Sequence, residues 1–440
     1  MYRIEDIINK VHNADCLEFM KGIPENSIDL IVTDPPYGYS FMGKSWDKAL
    51  PSVDIWKECL RVLKHGAFAF IMSAPRSDVL SRMIVRIEDA GFRVNFSPIY
   101  WTYASGFPKA MNIGKMVDKR AGAERGRVKS ATLNAWRESE GRTDRPSGTT
   151  PDDNPITDEA KALEGSYGGF QPKPAVEVII VAMKPLSEKT FVDQALKNGK
   201  GVTWLDDCRV PTSEDLSGNF KPGGKYAADE TIYKLGTKTL DTRQDSRGRF
   251  PANLLVSDDV LNDGKVKKGN GKSYNYSGKE YKVDGFVPEN KPQADSNFGD
   301  SGSYSRYFDL DAWWAKTYPF LIVPKASKSE KDDGLEDLPE HQIVSMATAN
   351  GTSGKPSSIT EGRDTRRRNN HPTTKPLKLM SYLITLGSRT DDIVLDPFAG
   401  SGTTPLAAHF LKRKYIGIER EKEYCDIARG RLKQRQDVLL

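Results

Sequence analysis

Two short segments carry residue types that could do chemistry. Asp34-Pro35-Pro36-Tyr37 follows the apolar run IDLIVT. A strand ending in Asp-Pro-Pro sets a carboxylate at the carboxyl edge of an α/β sheet, where ligands of such folds bind. The prolines cannot continue a helix and fix a stiff, extended turn with outward carbonyls. Tyr37 adds a flat ring beside the acid. This set suits an amino nitrogen whose lone pair is delocalised into a heteroaromatic ring. A carboxylate and a carbonyl accepting its N–H bonds would localise that lone pair and stabilise the positive charge that develops on nitrogen. The ring could stack on a base extruded from a duplex. The plain alternative is a rigid turn with a helix-capping Asp.

The second segment is Asp396-Pro397-Phe398-Ala399-Gly400-Ser401-Gly402-Thr403-Thr404, between the run DIVL and a helical stretch. Glycines in such a turn let the backbone approach a ligand, and the helix N-terminus offers free N–H groups. The third glycine of the dinucleotide fingerprint is replaced by Pro405. The next run, KYIGIE, ends in Glu419, where an acid can hold both hydroxyls of a ribose. That position fits a nicotinamide dinucleotide and S-adenosylmethionine equally.

Both segments need strands to hold them. Short apolar, β-branched runs at 28–33, 67–73, 94–103, 176–183, 392–395 and 414–419 suit strands buried on both faces of a parallel sheet. Helical periodicity at 53–63, 77–90 and 403–411 follows strands, so the alternation predicts an α/β, doubly wound fold. Between these elements, 115–170, 200–310 and 345–370 are polar and lack apolar periodicity. They read as insertions into one core.

Composition narrows the class. The chain has 440 residues, 37% hydrophobic and 28% charged, with a net charge of +5, which permits a polyanionic partner without demanding one. Four scattered cysteines and five histidines show no metal-ligand spacing, so neither a metal site nor a disulfide framework is expected. No apolar run reaches the roughly 20 residues of a membrane span, and MYRIEDIINK lacks a signal-peptide core. A cytoplasmic protein without membrane association is expected.

With these motifs side by side, the sequence resembles the amino-directed DNA methyltransferases of the β arrangement, found in bacteria and phages. In that family DPPY precedes FxGxG, and a target-recognition region lies between them. Here TDPPY comes first and DPFAGSGTT follows about 360 residues later. The resemblance covers most of 10–112 and 370–435, plus the run at 176–183. It implies a Rossmann-like S-adenosylmethionine-dependent fold, with a mostly parallel seven-stranded sheet and helices on both faces. It also implies S-adenosyl-L-methionine as cofactor and direct transfer to a flipped base of double-stranded DNA. Asp34, Pro35, Pro36 and Tyr37 take the catalytic positions. Asn13-Ala14-Asp15-Cys16-Leu17 resembles the G-D-C-L segment, which implies that Asp15 contacts the adenine of the cofactor, with Cys16 beside it. His371-Pro372-Thr373-Thr374-Lys375-Pro376 resembles H-P-T-x-K-P, implying that Thr373 or Lys375 meets the methionine end. Asp396, Phe398, Gly400, Ser401, Gly402 and Thr403 complete the cofactor turn, and Glu419 takes the ribose position.

The organisation expected is a catalytic half at 1–112, a basic polar insertion at 113–170, a core strand at 171–190, a target-recognition region at 191–369 and a cofactor half at 370–440. Two basic groups suit phosphate contacts: Arg120, Arg125, Arg127 and Lys129, and Arg366, Arg367 and Arg368 before HPTTKP. Phe41 and Trp46 are candidates to line the base pocket. In the family, Asp at the first motif position leans toward adenine N6 and Ser toward cytosine N4, so adenine is expected and cytosine N4 is the alternative. Cytosine C5 chemistry needs a Pro-Cys nucleophile, and no cysteine here follows a proline. A nicotinamide-dependent oxidoreductase is the more distant alternative, and it leaves DPPY unexplained. A cognate restriction endonuclease and a homodimer are further partners the resemblance admits.

Overall fold

The computed structural model describes residues 1–38, 49–103, 111–129, 149–152, 154–170, 175–211, 248–257, 267–268, 301–302, 308–317, 332, 335, 341–342, 366–369, 371 and 374–436. Its centre is a sheet of β1 (Lys10–Asn13), β2 (Leu30–Thr33), β3 (Phe68–Ser73), β4 (Ile99–Thr102), β5 (Val176–Met183), β6 (Leu254–Val256), β7 (Ile393–Asp396) and β8 (Lys414–Glu419). The spatial order is β1-β8-β7-β2-β3-β5-β4-β6. β5 runs antiparallel to both its neighbours and the other pairs are parallel.

The Rossmann-like α/β expectation holds, with one correction: among the described residues the sheet has eight strands, not seven. The additional edge strand β6 comes from RFPANLLV, inside the span expected to lie outside the core. Only three residues long, it has too little pattern of its own to read as a strand. Pairing with β4 makes it one, beginning with the Tyr100 N–H donating to the Asn253 carbonyl at 2.8 Å.

β2 and β3 are buried along their whole length, as their unbroken apolar runs require. Alternate residues enter opposite cores because side chains alternate across a strand. Leu30, Val32, Phe68, Phe70 and Met72 join one core, while Ile31, Ala69 and Ile71 join the other. Helices α1 (Cys16–Lys21), α2 (Val53–Val62) and α3 (Ser77–Asp89) cover the second. On α2 it is Trp56, with Cys59 and Val62, that is buried, while Ile55 is half-buried. Burying a side chain of this size contributes roughly 1.5–3 kcal/mol.

The first core is covered by α4 (Leu310–Thr317), α5 (Leu377–Gly387), α6 (Thr403–Phe410) and α7 (Lys422–Gln436). All eleven residues of α5 are buried. Gly387 lets it lie against the sheet, since a Cβ there would sit 2.6 Å from Leu30 Cδ1. Trp313 of α4 packs edge-on against Tyr382 of α5. The span 191–369 therefore contributes a strand and a helix to the core, besides whatever else it does.

The strand order decides where a site can form. β7 and β2 are neighbours, with Val394 opposite Leu30 and Leu395 opposite Ile31. From β7 the chain moves to β8 on one side, and from β2 it moves to β3 on the other. This is the topological switch point, where a crevice opens at the carboxyl ends of the strands.

Candidate active site

Asp34 leaves the carboxyl end of β2 and is held from two directions. The Tyr37 hydroxyl donates to its Oδ1 at 2.6 Å, and Lys375 Nζ donates to its Oδ2 at 2.5 Å. Lys375 immediately precedes Pro376, the N-cap of α5, so the buried helix fixes where its stem begins. Its Nζ lies 5.9 Å from the centre of the Tyr37 ring. Gly38 then turns the chain with φ +73°, a conformation glycine takes without a steric penalty.

A third charged group completes this cluster, and sequence reasoning missed it. Glu177 Oε2 lies 3.4 Å from Lys375 Nζ, an ion-pair contact without hydrogen-bond geometry. Glu177 sits near the start of β5. Because β5 is reversed, its first residues lie at the carboxyl edge of the parallel strands, with Val178 opposite Ser73. The available signal was one acid in the otherwise apolar VEVIIVAM, but a parallel strand would have put it at the wrong edge.

Burial opposes the charge on Lys375, yet Asp34 and Glu177 outweigh it and hold the ammonium pKa above the ordinary lysine value. Burial pushes the Glu177 carboxyl up; Lys375 opposes that rise, and Asp34 adds to it. Deleting one partner from a buried ionic group of this kind costs about 3–5 kcal/mol, because the remaining charge loses its compensation.

The glycine turn lies next to this cluster. Asp396, at the end of β7, is buried and accepts from Thr33 Oγ1 at 2.6 Å and from the Phe398 N–H at 3.0 Å. It pins the turn to the end of β2. Burial pushes its carboxyl up to about 7, with Thr33 among the hydrogen bonds that oppose the rise. Phe398 packs obliquely against Trp56, with ring centroids 6.4 Å apart. The two glycines have different reasons for being glycine. A Cβ on Gly400, φ +52°, would meet His371 Nε2 at 2.8 Å, whereas one on Gly402, φ +79°, would meet Ala428 Cβ at 2.7 Å. Gly400 lets His371 of HPTTKP approach the turn, and Gly402 lets α7 pack.

Ser401 and Thr403 are buried and turned toward Arg431, a second residue the sequence did not reveal. Arg431 Nη1 donates to the Ser401 carbonyl at 2.7 Å and to Thr403 Oγ1 at 3.2 Å. Ser401 Oγ also lies 3.2 Å from Thr374 Oγ1, which ties HPTTKP to the turn. Arg431 lies in a charged, polar stretch of α7 that reads as a solvated face, so only the packing identifies it.

Glu419 closes the far side. Its Oε2 accepts from the Gly400 N–H and its Oε1 from the Glu421 N–H, both at 2.8 Å. Burial pushes its carboxyl up. Asp15 is one strand further along the edge, past β1, whose Asn13 pairs with Glu419. Its Oδ1 caps α1, accepting from the Leu17 and Glu18 N–H groups at 3.0 and 3.2 Å. Two acids at adjacent strand ends, beside the Gly400 turn, form an acceptor set suited to a ribose diol and an adenine amine. The chemistry of these residues fits an adenosyl group.

Several expected positions sit differently. The Cys16 side chain belongs to the core, and burial, with Asp15 adding, pushes its thiol up to about 12. Anything Cys16 offers a ligand therefore comes from its backbone. Lys375, expected at the methionine end of a cofactor, is engaged by Asp34. Thr373, Phe41 and Trp46 lie outside the described residues. Arg366 and Arg367 form a short antiparallel ladder with His341 and Gln342. Arg368 is half-buried, with its N–H donating to Asp332 Oδ1 at 3.1 Å. Arg125 makes a part-buried 2.6 Å ion pair with Asp118 and so is not a freely solvated charge. All four cysteines are buried and unbonded to one another. Among the described residues there is no metal-holding cluster, and no helix is long and apolar enough to cross a membrane.

Several known proteins resemble this chain. A family model described as DNA methylase, of the N6/N4 type, matches residues 28–430. The Type II methyltransferase M2.MboI of Moraxella bovis is 45% identical over 166 residues, which is 36% of this chain and 53% of that protein. M.HinfI of Haemophilus influenzae is 46% identical over 72 residues, 16% of this chain and 20% of that protein. The chain thus spans about half the length of the first relative and a fifth of the second. The solved M1.HpyAVI–SAM complex aligns over 96% of this chain and 98% of its own, at 17% identity and a TM-score of 0.36.

Proposed function

This chain belongs to the N6/N4 DNA methylase family, enzymes that draw a methyl group from S-adenosylmethionine, and we propose that it methylates the exocyclic N6 of adenine in double-stranded DNA. The observation that carries this reading is the Asp34 carboxylate at the switch point, gripped by Tyr37 and Lys375 and adjoining the turn closed by Glu419. Asp34 in the first motif position is what favours adenine over cytosine N4. A nicotinamide oxidoreductase is set aside by the family and has no use for a carboxylate so arranged.

The chain's own groups account for the chemistry. Asp34 accepts an N–H bond of the amino nitrogen, which localises its lone pair and stabilises the cation formed as nitrogen is alkylated. The carbonyls of the Pro-Pro turn accept the second N–H. Tyr37 holds Asp34 in place and offers its ring to the extruded base. Glu419 and Asp15 would hold the ribose and adenine of the cofactor, beside the Gly400 turn. When bound, S-adenosylmethionine supplies an electrophilic methyl group on a sulfonium.

Base reading falls to the parts of 113–170 and 191–369 that do not pack on the sheet, and Arg366–Arg368 contact phosphates. Likeness to a Type II methyltransferase supports a paired restriction endonuclease as partner. The arginine assignment is tested by replacing all three with Ala and measuring DNA affinity against salt. Phosphate contacts predict weaker binding and a shallower salt slope; an unchanged slope rejects them. The function is tested by incubating unmethylated DNA with protein and S-adenosylmethionine. Failure to modify any base, alongside an active control enzyme, rejects it.

A further inference from the structure

We infer that Glu177 is a positioning residue that sets the charge of the catalytic site, leaving Asp34, Lys375 and Glu177 together with one net negative charge facing the nitrogen to be methylated. The inference rests on the function proposed above and adds a residue to it.

The argument begins with an apparent obstacle. Transfer of a methyl cation to an amino nitrogen creates positive charge there, which Asp34 is placed to balance. Yet Asp34 Oδ2 already receives the Lys375 ammonium at 2.5 Å. A carboxylate and an ammonium in contact form a neutral pair, and a neutral pair balances nothing. A second carboxylate on the same ammonium resolves this. Glu177 Oε2, buried and 3.4 Å from Lys375 Nζ, returns the site to one excess negative charge.

The geometry allocates the charges unequally. Lys375 is closer to Asp34 than to Glu177, so it orients Asp34 while Glu177 offsets its charge from behind. The titratable groups facing Glu177 are Lys375, Asp34 and Tyr103. Burial pushes the Tyr103 phenol up to about 12, with Glu177 adding, so it stays neutral near neutrality. The ionisation of Glu177 is thus the variable part of the count. Its pKa lies above the ordinary glutamate value, because burial outweighs the attraction of Lys375. Below that pKa the site becomes neutral, and methyl transfer should slow as pH falls.

Proton balance needs no further group. The nitrogen would gain a methyl as the sulfonium's carbon–sulfur bond breaks and a neutral thioether leaves; it would lose one N–H proton, which passes to Asp34 and then to water. Glu177 keeps its charge throughout and touches neither base nor cofactor.

The test is single-turnover methyl transfer by the full chain on unmethylated DNA, comparing wild type, Glu177→Gln, Glu177→Asp and the double variant Glu177→Gln/Lys375→Met. Gln keeps the shape of Glu177 and removes its charge. The charge account predicts a transfer rate at least about tenfold lower for Glu177→Gln, with S-adenosylmethionine affinity unchanged. It predicts partial rescue in Glu177→Asp, and loss in Glu177→Gln of the wild-type fall in rate at acid pH. The double variant again leaves Asp34 with one net negative charge, so it should outpace Glu177→Gln. A merely structural role predicts the reverse, because the double variant loses two packing partners. A Glu177→Gln enzyme as fast as wild type, or a double variant no faster than Glu177→Gln, overturns the inference while an active wild type leaves the function standing. An inactive wild type overturns both.

Discussion

Lys375 donates to Asp34 Oδ2 at 2.5 Å across 341 residues of chain, and in that contact HPTTKP meets DPPY. The family likeness implies that Thr373 or Lys375 meets the methionine end of the cofactor. The structure joins Lys375 to the residue assigned the chemistry and places Glu177 Oε2 3.4 Å from the same ammonium. The segment leading into α5 thus touches the DPPY segment, although it falls within 370–440, the span expected to form the cofactor half.

Replacing Asp34 by Ala should separate chemistry from cofactor binding. Methyl transfer is expected to fall at least about a hundredfold, the scale for losing a preorganised group at a developing charge. S-adenosylmethionine affinity, measured by calorimetry, should change little because the Asp34 carboxylate is engaged by Tyr37 and Lys375, whereas the ribose is assigned to Glu419. Substantial turnover by this variant would remove Asp34 from the mechanism.

The two glycines of the turn should fail in different ways. Gly400→Val places a branched side chain against His371, 2.8 Å from where its Cβ would be, and should abolish cofactor binding. Gly402→Ala presses on Ala428 at 2.7 Å from a left-handed backbone, so it should lower thermal stability by about 1–3 kcal/mol. Calorimetric titration and thermal melts of both variants check this. Normal cofactor affinity in Gly400→Val would contradict the pocket assignment.

Asp396 gives stability a pH dependence of definite sign. Its carboxyl, pushed up to about 7 by burial, binds a proton more readily in the folded protein than in the unfolded one. Its contribution is therefore complete below the unfolded pKa of about 4 and is lost as pH rises through about 7. Asp396→Asn keeps an acceptor for Thr33 and removes the titration. The melting temperature of wild type should drop more than that of the variant between pH 5 and 8. Equal slopes would show that Asp396 does not titrate in this window.

The readable part of this molecule was the part written in contiguous residues. β2 is an apolar run followed by Asp34, and β3, β7 and β8 are apolar runs ending in Ser73, Asp396 and Glu419; a buried strand needs nothing but such a run to be seen. The helix following the glycine turn was legible for the same reason. Glu177, Arg431 and β6 were not. The first depends on the reversal of β5, a property of pairing rather than of VEVIIVAM itself. The second is an arginine buried by α7 packing at Gly402, in a stretch too charged to look internal. The third is a three-residue strand made by its neighbour. Asp15, expected as a cofactor ligand, is also a helix cap, through Leu17 and Glu18.

Arg431→Met should test whether the turn is held from behind. Its Nη1 bonds Ser401 and Thr403, and losing hydrogen bonds from a buried cation costs about 1.5–3 kcal/mol. Thermal melts should show that loss together with weaker cofactor binding, since both partners belong to the turn. Lower stability with unaltered cofactor affinity would mean the turn keeps its shape unaided.

The most direct test of the account is nucleoside mass spectrometry of unmethylated duplex DNA incubated with the protein and S-adenosylmethionine, beside an Asp34→Ala control. The account predicts N6-methyladenine in the wild-type reaction and none in the control. N4-methylcytosine in place of N6-methyladenine would contradict the base assignment, and DNA left unmodified beside an active control enzyme would contradict the function itself.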